Sequence, residues 1–176
     1  MSSNFAVVGA GSIGAWLISE LLEYKAKGKV NTIKVLSRDV SPYTPSVGDQ
    51  LANQISRFFA EKGTTKSKSQ QWFDKGAEFT QVDYADEATL ARVFEGVDVV
   101  FSTINSIVVD QQKSLARAAK TADVKLFVPS EYGVDTENAT SGVFLAKKEF
   151  SEFLKEIELP YVKIFTGLWT DYCITP

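Results

Sequence analysis

Three glycines stand in the run VVGAGSIG, at Gly9, Gly11 and Gly14, with the spacing G-x-G-x-x-G. That spacing suits chemistry in which the main chain itself must hold phosphate. The first glycine permits a tight turn, the second lets the backbone approach a pyrophosphate, and the third lets a helix pack close to a strand. The pattern is weak alone, but here it follows the apolar run Asn4–Val8 and opens an amphipathic stretch. At the start of that stretch, Ser12 and Ile13 would offer unpaired N–H groups and the positive end of a helix dipole. The next apolar run ends Val35-Leu36-Ser37-Arg38-Asp39. An NAD site usually has Asp or Glu at that strand end, to accept from the ribose 2′-hydroxyl. Ser37 and Arg38 stand there instead, and a guanidinium pairs with a 2′-phosphate, so the reading is NADP(H). Asp39 is the competing signal, since a carboxylate turned inward would repel that phosphate.

Proton transfer must come from another quarter than usual, because the chain contains no histidine. Ser-His-Asp and Cys-His catalysis are excluded, and the metal reading is none, a zinc site lacking its commonest ligand. Lysine, tyrosine, a carboxylate or water remain. A Tyr-x-x-x-Lys pair is missing, because Thr136 stands four residues after Tyr132. Lys147 lies on the helical stretch after VPSEYG. By spacing alone it could be a site residue or a solvated lysine like Lys148, Lys155 or Lys163.

The elements that would position these residues alternate regularly. Strand-like runs at Asn4–Val8, Thr32–Leu36, Glu78–Val82, Val97–Ser102, Lys125–Val128 and Tyr161–Phe165 are interleaved with helical stretches. The helices are expected at Ser12–Lys27, Glu87–Phe94 behind Asp86 as N-cap, Asp110–Ala122 and Phe144–Ile157. The first should bury a face of Ile13, Trp16, Leu17, Leu21 and Leu22. Ser41–Gln71, with two prolines, the helical stretch QLANQISRFFAEKG and the polar TTKSKSQ, is expected to hold another crossover helix. Strands apolar throughout and alternating with helices predict an α/β fold. It is a doubly wound parallel sheet, order 3-2-1-4-5-6, with helices on both faces. Residues 1–176 read as one nucleotide-binding domain. Ser102, Thr103 and Ile104, beyond the fourth strand, should pass beside the cofactor. Asp83 would either sit near the adenine or cap the next turn.

Several segments in order, GAGSIG, Arg38, EGVDVVFSTI and KLFVPSEYGVD…AKKEF…ELPYVKI, resemble the NmrA-like and isoflavone-reductase-like family of atypical short-chain dehydrogenases. The family's hallmark is a Pro-Ser-Glu-(Phe or Tyr)-Gly turn, followed by a helix with the catalytic lysine and then an Ile-Pro-Tyr-type element. Lys147 stands thirteen residues before Pro160, the spacing of the family's lysine, so the resemblance assigns the role to Lys147 and not Lys148. It implies that Lys147 contacts the nicotinamide ribose and substrate as acid–base group, partial desolvation lowering its pKa. It also implies that Pro129 and Ser130 shape the loop against the cofactor, that Glu131 braces it, and that Tyr132 packs. The activity implied is NADPH-dependent reduction of a small, aromatic or otherwise conjugated, organic substrate. The alternatives are a non-catalytic NADP sensor acting on a regulatory protein partner, or a cofactor-binding fragment without activity.

Family members continue past the sixth strand with a smaller part that supplies most of the substrate pocket. This sequence stops at Pro176, after GLWTDYC. The expectation is a cofactor half with apolar surface around Phe165, Leu168, Trp169 and Tyr172, inviting a homodimer or a protein partner. A net charge of −3, from 19 basic and 22 acidic residues, gives no footprint for nucleic acid or an anionic membrane. Cys173, the single cysteine, is expected to be buried and inert in a reducing, cytoplasmic setting.

Overall fold

The computed structural model describes residues 3–38, 71–105 and 109–167. In chain order they form β1 (Ser3–Val8), α1 (Ser12–Ala26), β2 (Val30–Ser37), β3 (Glu78–Gln81), α2 (Glu87–Phe94), β4 (Val99–Ser102), α3 (Val109–Thr121), β5 (Leu126–Val128) and α4 (Gly142–Glu156). The crossover helix expected within 50–63 lies outside the described residues, as do Asp39, Leu168, Trp169, Tyr172 and Cys173.

The strands are parallel and lie in the order β3-β2-β1-β4-β5, the first five positions of the expected doubly wound sheet. The run expected as a sixth strand reaches its place beside β5 as a single parallel bridge, Tyr161 to Phe127. Phe127 N–H donates to Pro160 O at 2.8 Å, and Val162 N–H to Phe127 O at 3.1 Å. Farther on, Thr166 and Gly167 N–H both donate to Gly133 O at 3.0 Å. The segment thus leaves the short β5 for the turn beyond it, and the ladder ends.

Strand side chains alternate between two apolar layers. Val7, Ile33 and Val35 pack against Ile18, Leu21 and Leu22 of α1 and against Trp72. The indole N–H of Trp72 donates to Ser19 Oγ at 3.2 Å, tying the approach to β3 onto α1. On the opposite face, Ala6, Val8, Leu36, Val100 and Phe127 meet α2, α3 and α4 through Leu90, Phe94, Leu115, Phe150 and Leu154. Asp86 caps α2 as expected, its Oδ1 accepting from Thr89 N–H at 3.0 Å. Among the described residues no helix is long and apolar enough to cross a membrane.

The buried stripe of α1 differs from expectation. Gly14, Ile18, Leu21 and Leu22 are buried, whereas Trp16 is 62% exposed. The stripe has regular helical spacing, but its first member is a glycine, whose lack of a side chain hides it from a hydrophobicity pattern. Phe150→Ala, in the core against Phe127, should therefore cost about 3–5 kcal/mol of stability. Trp16→Ala should stay within about 0.5 kcal/mol. Urea unfolding of both variants measures the contrast, and comparable losses would place Trp16 in the core after all.

Candidate functional site

In the strand order, β2 lies on one side of β1 and β4 on the other, so crossovers diverge there and open a crevice at the carboxyl ends. The register lines up those ends. Val8 pairs with Leu36 and with Ser102, while Phe101 pairs with Val128. Gly9, Ser37, Thr103 and Pro129 therefore leave the sheet along one edge.

The glycine turn is built by close approach. Gly9 has φ +99° and donates its N–H to Leu36 O at 2.8 Å. Thr103 N–H donates to Val8 O at 2.8 Å, and its hydroxyl donates to Gly9 O at 2.8 Å. A Cβ on Gly14 would run into the Gly9 carbonyl oxygen and lie 2.7 Å from Thr103 Oγ1. Gly11 is the reverse case, with nothing within 4 Å of an added Cβ. It is the N-cap of α1; no side chain caps this end and no acidic residue lies in the first turn. Gly11 and Ser12 are exposed and Ile13 is half-buried. An uncapped helix start with open space before it is suited to an anion held by main-chain N–H groups.

Of the residues expected beside a cofactor, several turn their side chains inward. Ser102 Oγ donates to Gln112 Oε1 at 3.0 Å, and Ser130 N–H donates to the same oxygen at 3.0 Å. Ser130 Oγ donates to Ile104 O at 2.8 Å, and the Ile104 side chain is buried in the core. Pro129 is buried too, its carbonyl accepting from Glu131 N–H at 2.8 Å. At these positions the strand ends are locked together, and what reaches the edge is main chain. Gln112, at the centre of this knot, was not singled out from the sequence. Its signal is a polar residue heading the apolar stripe Leu115, Ala116 and Ala119 on α3.

Arg38 lies at the end of β2. Its carbonyl accepts from Gln81 Nε2 at 3.0 Å, and its guanidinium sits 5.5 Å from the centroid of the Tyr84 ring. Burial pushes the Tyr84 phenol up to about 12, and its hydroxyl donates to Leu36 O at 3.4 Å. Arg38, Gln81, Val82 and Asp83 line a pocket of about 330 Å3. Ser37 O accepts from Val82 N–H at 3.0 Å, holding β2 against this pocket.

Lys147, on α4, comes to the turn after β5. Its Nζ lies 3.5 Å from Glu131 O and 3.9 Å from Glu131 Oε2, with side chains 12% and 1% exposed. Burial lowers the lysine pKa, opposed by the Glu131 charge; burial raises the Glu131 pKa, opposed first by Lys147 and then by the Thr136 hydroxyl. Tyr132 is half-buried, and burial raises its phenol pKa, which fits packing. Among the described residues no group of His, Cys, Asp and Glu could hold a metal ion.

The two glycines separate fold from site. Gly14→Ala should destabilise the chain by about 1–3 kcal/mol or more, because backbone must shift. Gly11→Ala should change stability by less than about 0.5 kcal/mol. Thermal or urea unfolding checks both, and equal losses would contradict the open approach at Gly11.

The description "NmrA-like family" matches residues 1–175 of the chain. An Arabidopsis thaliana protein named isoflavone reductase homolog P3 is 36% identical over 115 residues, 61% of this chain and 37% of its own length. A crystal structure of isoflavone reductase superposes with a TM-score of 0.72 at 20% identity, covering 100% of this chain and 53% of that one. The leucoanthocyanidin reductase–NADPH complex from Vitis vinifera gives 0.71 at 20% identity, covering 93% and 49%. The chain thus spans about half the length of these solved structures and less of the curated relative. With the glycine turn, the PSEYG turn and the α4 lysine on one sheet edge, the chain belongs to the NmrA-like family.

Proposed function

We propose that the chain is the cofactor-binding part of an NADPH-dependent reductase of a small, aromatic or otherwise conjugated, organic substrate. The observation that carries this reading is Lys147, desolvated beside the PSEYG turn on the same sheet edge as an uncapped, glycine-opened helix start. The names of the relatives support the reaction class, and the NADPH held by a solved neighbour supports the cofactor.

The residues fit that cofactor. Main-chain N–H groups from Gly11 to Gly14 would hold the pyrophosphate, and Arg38 with Ser37 the 2′-phosphate. Thr103 keeps the turn in shape through its bond to Gly9 O, and the backbone at Ser102, Ile104, Pro129 and Ser130 would border the nicotinamide end of the cofactor. When bound, NADPH supplies the hydride. Lys147 holds a proton at Nζ and delivers it to the reduced substrate. Because burial lowers the lysine pKa, this proton is released more readily than from a solvated lysine. Activity that needs the ammonium should fall as pH rises through that lowered pKa, below the ordinary lysine range.

A second reading is a non-catalytic dinucleotide sensor whose partner is a protein or a second copy of the chain. It is favoured by Val162, Ile164 and Phe165, exposed at 43%, 39% and 39% beyond the bridge to β5. A cytoplasmic setting belongs to either reading.

Fluorescence titrations should show NADPH binding more tightly than NADH. Arg38→Ala should weaken NADPH by about 10-fold or more while leaving NADH nearly unchanged. Equal affinities in the unaltered protein would overturn the assignment of Arg38. In the complete protein, Lys147→Met should lower NADPH consumption with conjugated phenolic substrates by about 100-fold or more, with a much smaller effect on NADPH affinity. Unchanged turnover would remove Lys147 from the chemistry. NADPH binding without any turnover, coupled to cofactor-dependent association, would favour the sensor.

A further inference from the structure

We infer that Glu131 is a positioning residue for Lys147: its own carbonyl group takes one ammonium hydrogen and its buried carboxylate stands close by, which holds the ammonium at the sheet edge with its other donors uncommitted to Glu131. This inference rests on the reading of Lys147 as the proton-bearing group.

The geometry separates this from simple loop bracing. Bracing needs only a hydrogen-bond acceptor, and Thr136 supplies the donor, its hydroxyl lying 3.4 and 3.3 Å from the two carboxylate oxygens. A neutral glutamine would accept as well and would avoid burying a charge at 1% exposure, which is costly when unpaired. A carboxylate gains over an amide chiefly from a nearby cation, and the cation with the largest effect on Glu131 is Lys147. Its Nζ contacts, 3.9 Å to Oε2 and 3.5 Å to the Glu131 carbonyl, are longer than a tight ion pair at about 2.7–2.9 Å. They orient the ammonium through one donated hydrogen at the carbonyl and leave the others able to reach a substrate.

The other charges facing Glu131 are committed elsewhere or oppose it. Lys163, on the segment after the bridge to β5, bonds Glu137 Oε1 at 2.9 Å and lowers the Glu131 pKa less than Lys147 does. Asp135 repels Glu131, while its Oδ1 accepts from Glu137 N–H at 2.8 Å. Lys147 is the largest charge partner of Glu131, and Glu131 is the charge that opposes the lowering of the Lys147 pKa by burial.

The test is an NMR pH titration of the complete protein labelled with 13C at lysine Cε, the Lys147 resonance being the one lost in Lys147→Met. In Glu131→Gln, which keeps the acceptor for Thr136 and drops the charge, the Lys147 midpoint should fall by about one pH unit. Glu131→Asp should recover part of the difference. An unmoved midpoint in Glu131→Gln would overturn the inference. Should that variant not fold, the same coupling is read from the other side: in protein labelled with 13C at glutamate Cδ, Lys147→Met should raise the Glu131 midpoint. No movement there would likewise overturn it. The titration does not depend on turnover, so catalysis that survives Lys147→Met would sink the role of Lys147 and leave the Glu131 result to stand or fall separately.

Discussion

Gly14 occupies a position where a side chain has no room, because a Cβ would enter the Gly9 carbonyl oxygen and crowd Thr103 Oγ1. The absence of one carbon lets α1 start directly on the end of β1, and several features depend on it. The helix axis is set so that Ile18, Leu21 and Leu22 reach the sheet. Its first turn is left facing outward at Gly11, where nothing stands within 4 Å of an added Cβ. The Thr103 hydroxyl, bonded to Gly9 O, joins β4 to the same point of contact. Close packing inside and open space outside are two sides of one turn. The first serves stability, and the second is where the proposed cofactor's phosphates would lie.

The opposite end of the edge is organised by polar groups kept away from water. Gln112 Oε1 accepts from Ser102 Oγ and Ser130 N–H, so β4, α3 and the turn after β5 share one oxygen. One residue farther on, the same turn carries a buried carboxylate beside a mostly buried ammonium. Such pairs rarely add net stability over apolar packing, because desolvation offsets much of the Coulomb attraction. On the proposed reading, their presence at a strand end serves chemistry rather than stability.

Much of this was legible in the sequence, because the signals were local. Alternating apolar runs, the glycine spacing and the Asp86 cap are each set by a few neighbouring residues, and the strand order follows from alternation and crossover handedness. What escaped was tertiary. Trp16 read as part of a buried face because tryptophan is strongly apolar, while the true first member, Gly14, carries no hydrophobic signal. The run from Tyr161 read as a strand by composition, yet after one bridge its N–H groups are drawn to Gly133 O. Ser102 and Ser130 were expected beside the cofactor by position, and their hydroxyls turn inward to Gln112 and Ile104 O. Their partner Gln112 could be found only once α3 was folded against both strands.

On the proposed reading, an NADP cofactor lies across the carboxyl edge, on the turn at Gly9–Gly14 and against Arg38. Hydrogen–deuterium exchange of the protein with and without saturating NADPH tests it most directly, residue by residue. Slowed exchange at the amides of residues 11–14 and 37–38, with little change along the outer faces of α2 and α3, is the predicted outcome. NADPH binding with those amides unprotected, or with protection centred elsewhere, would contradict the account.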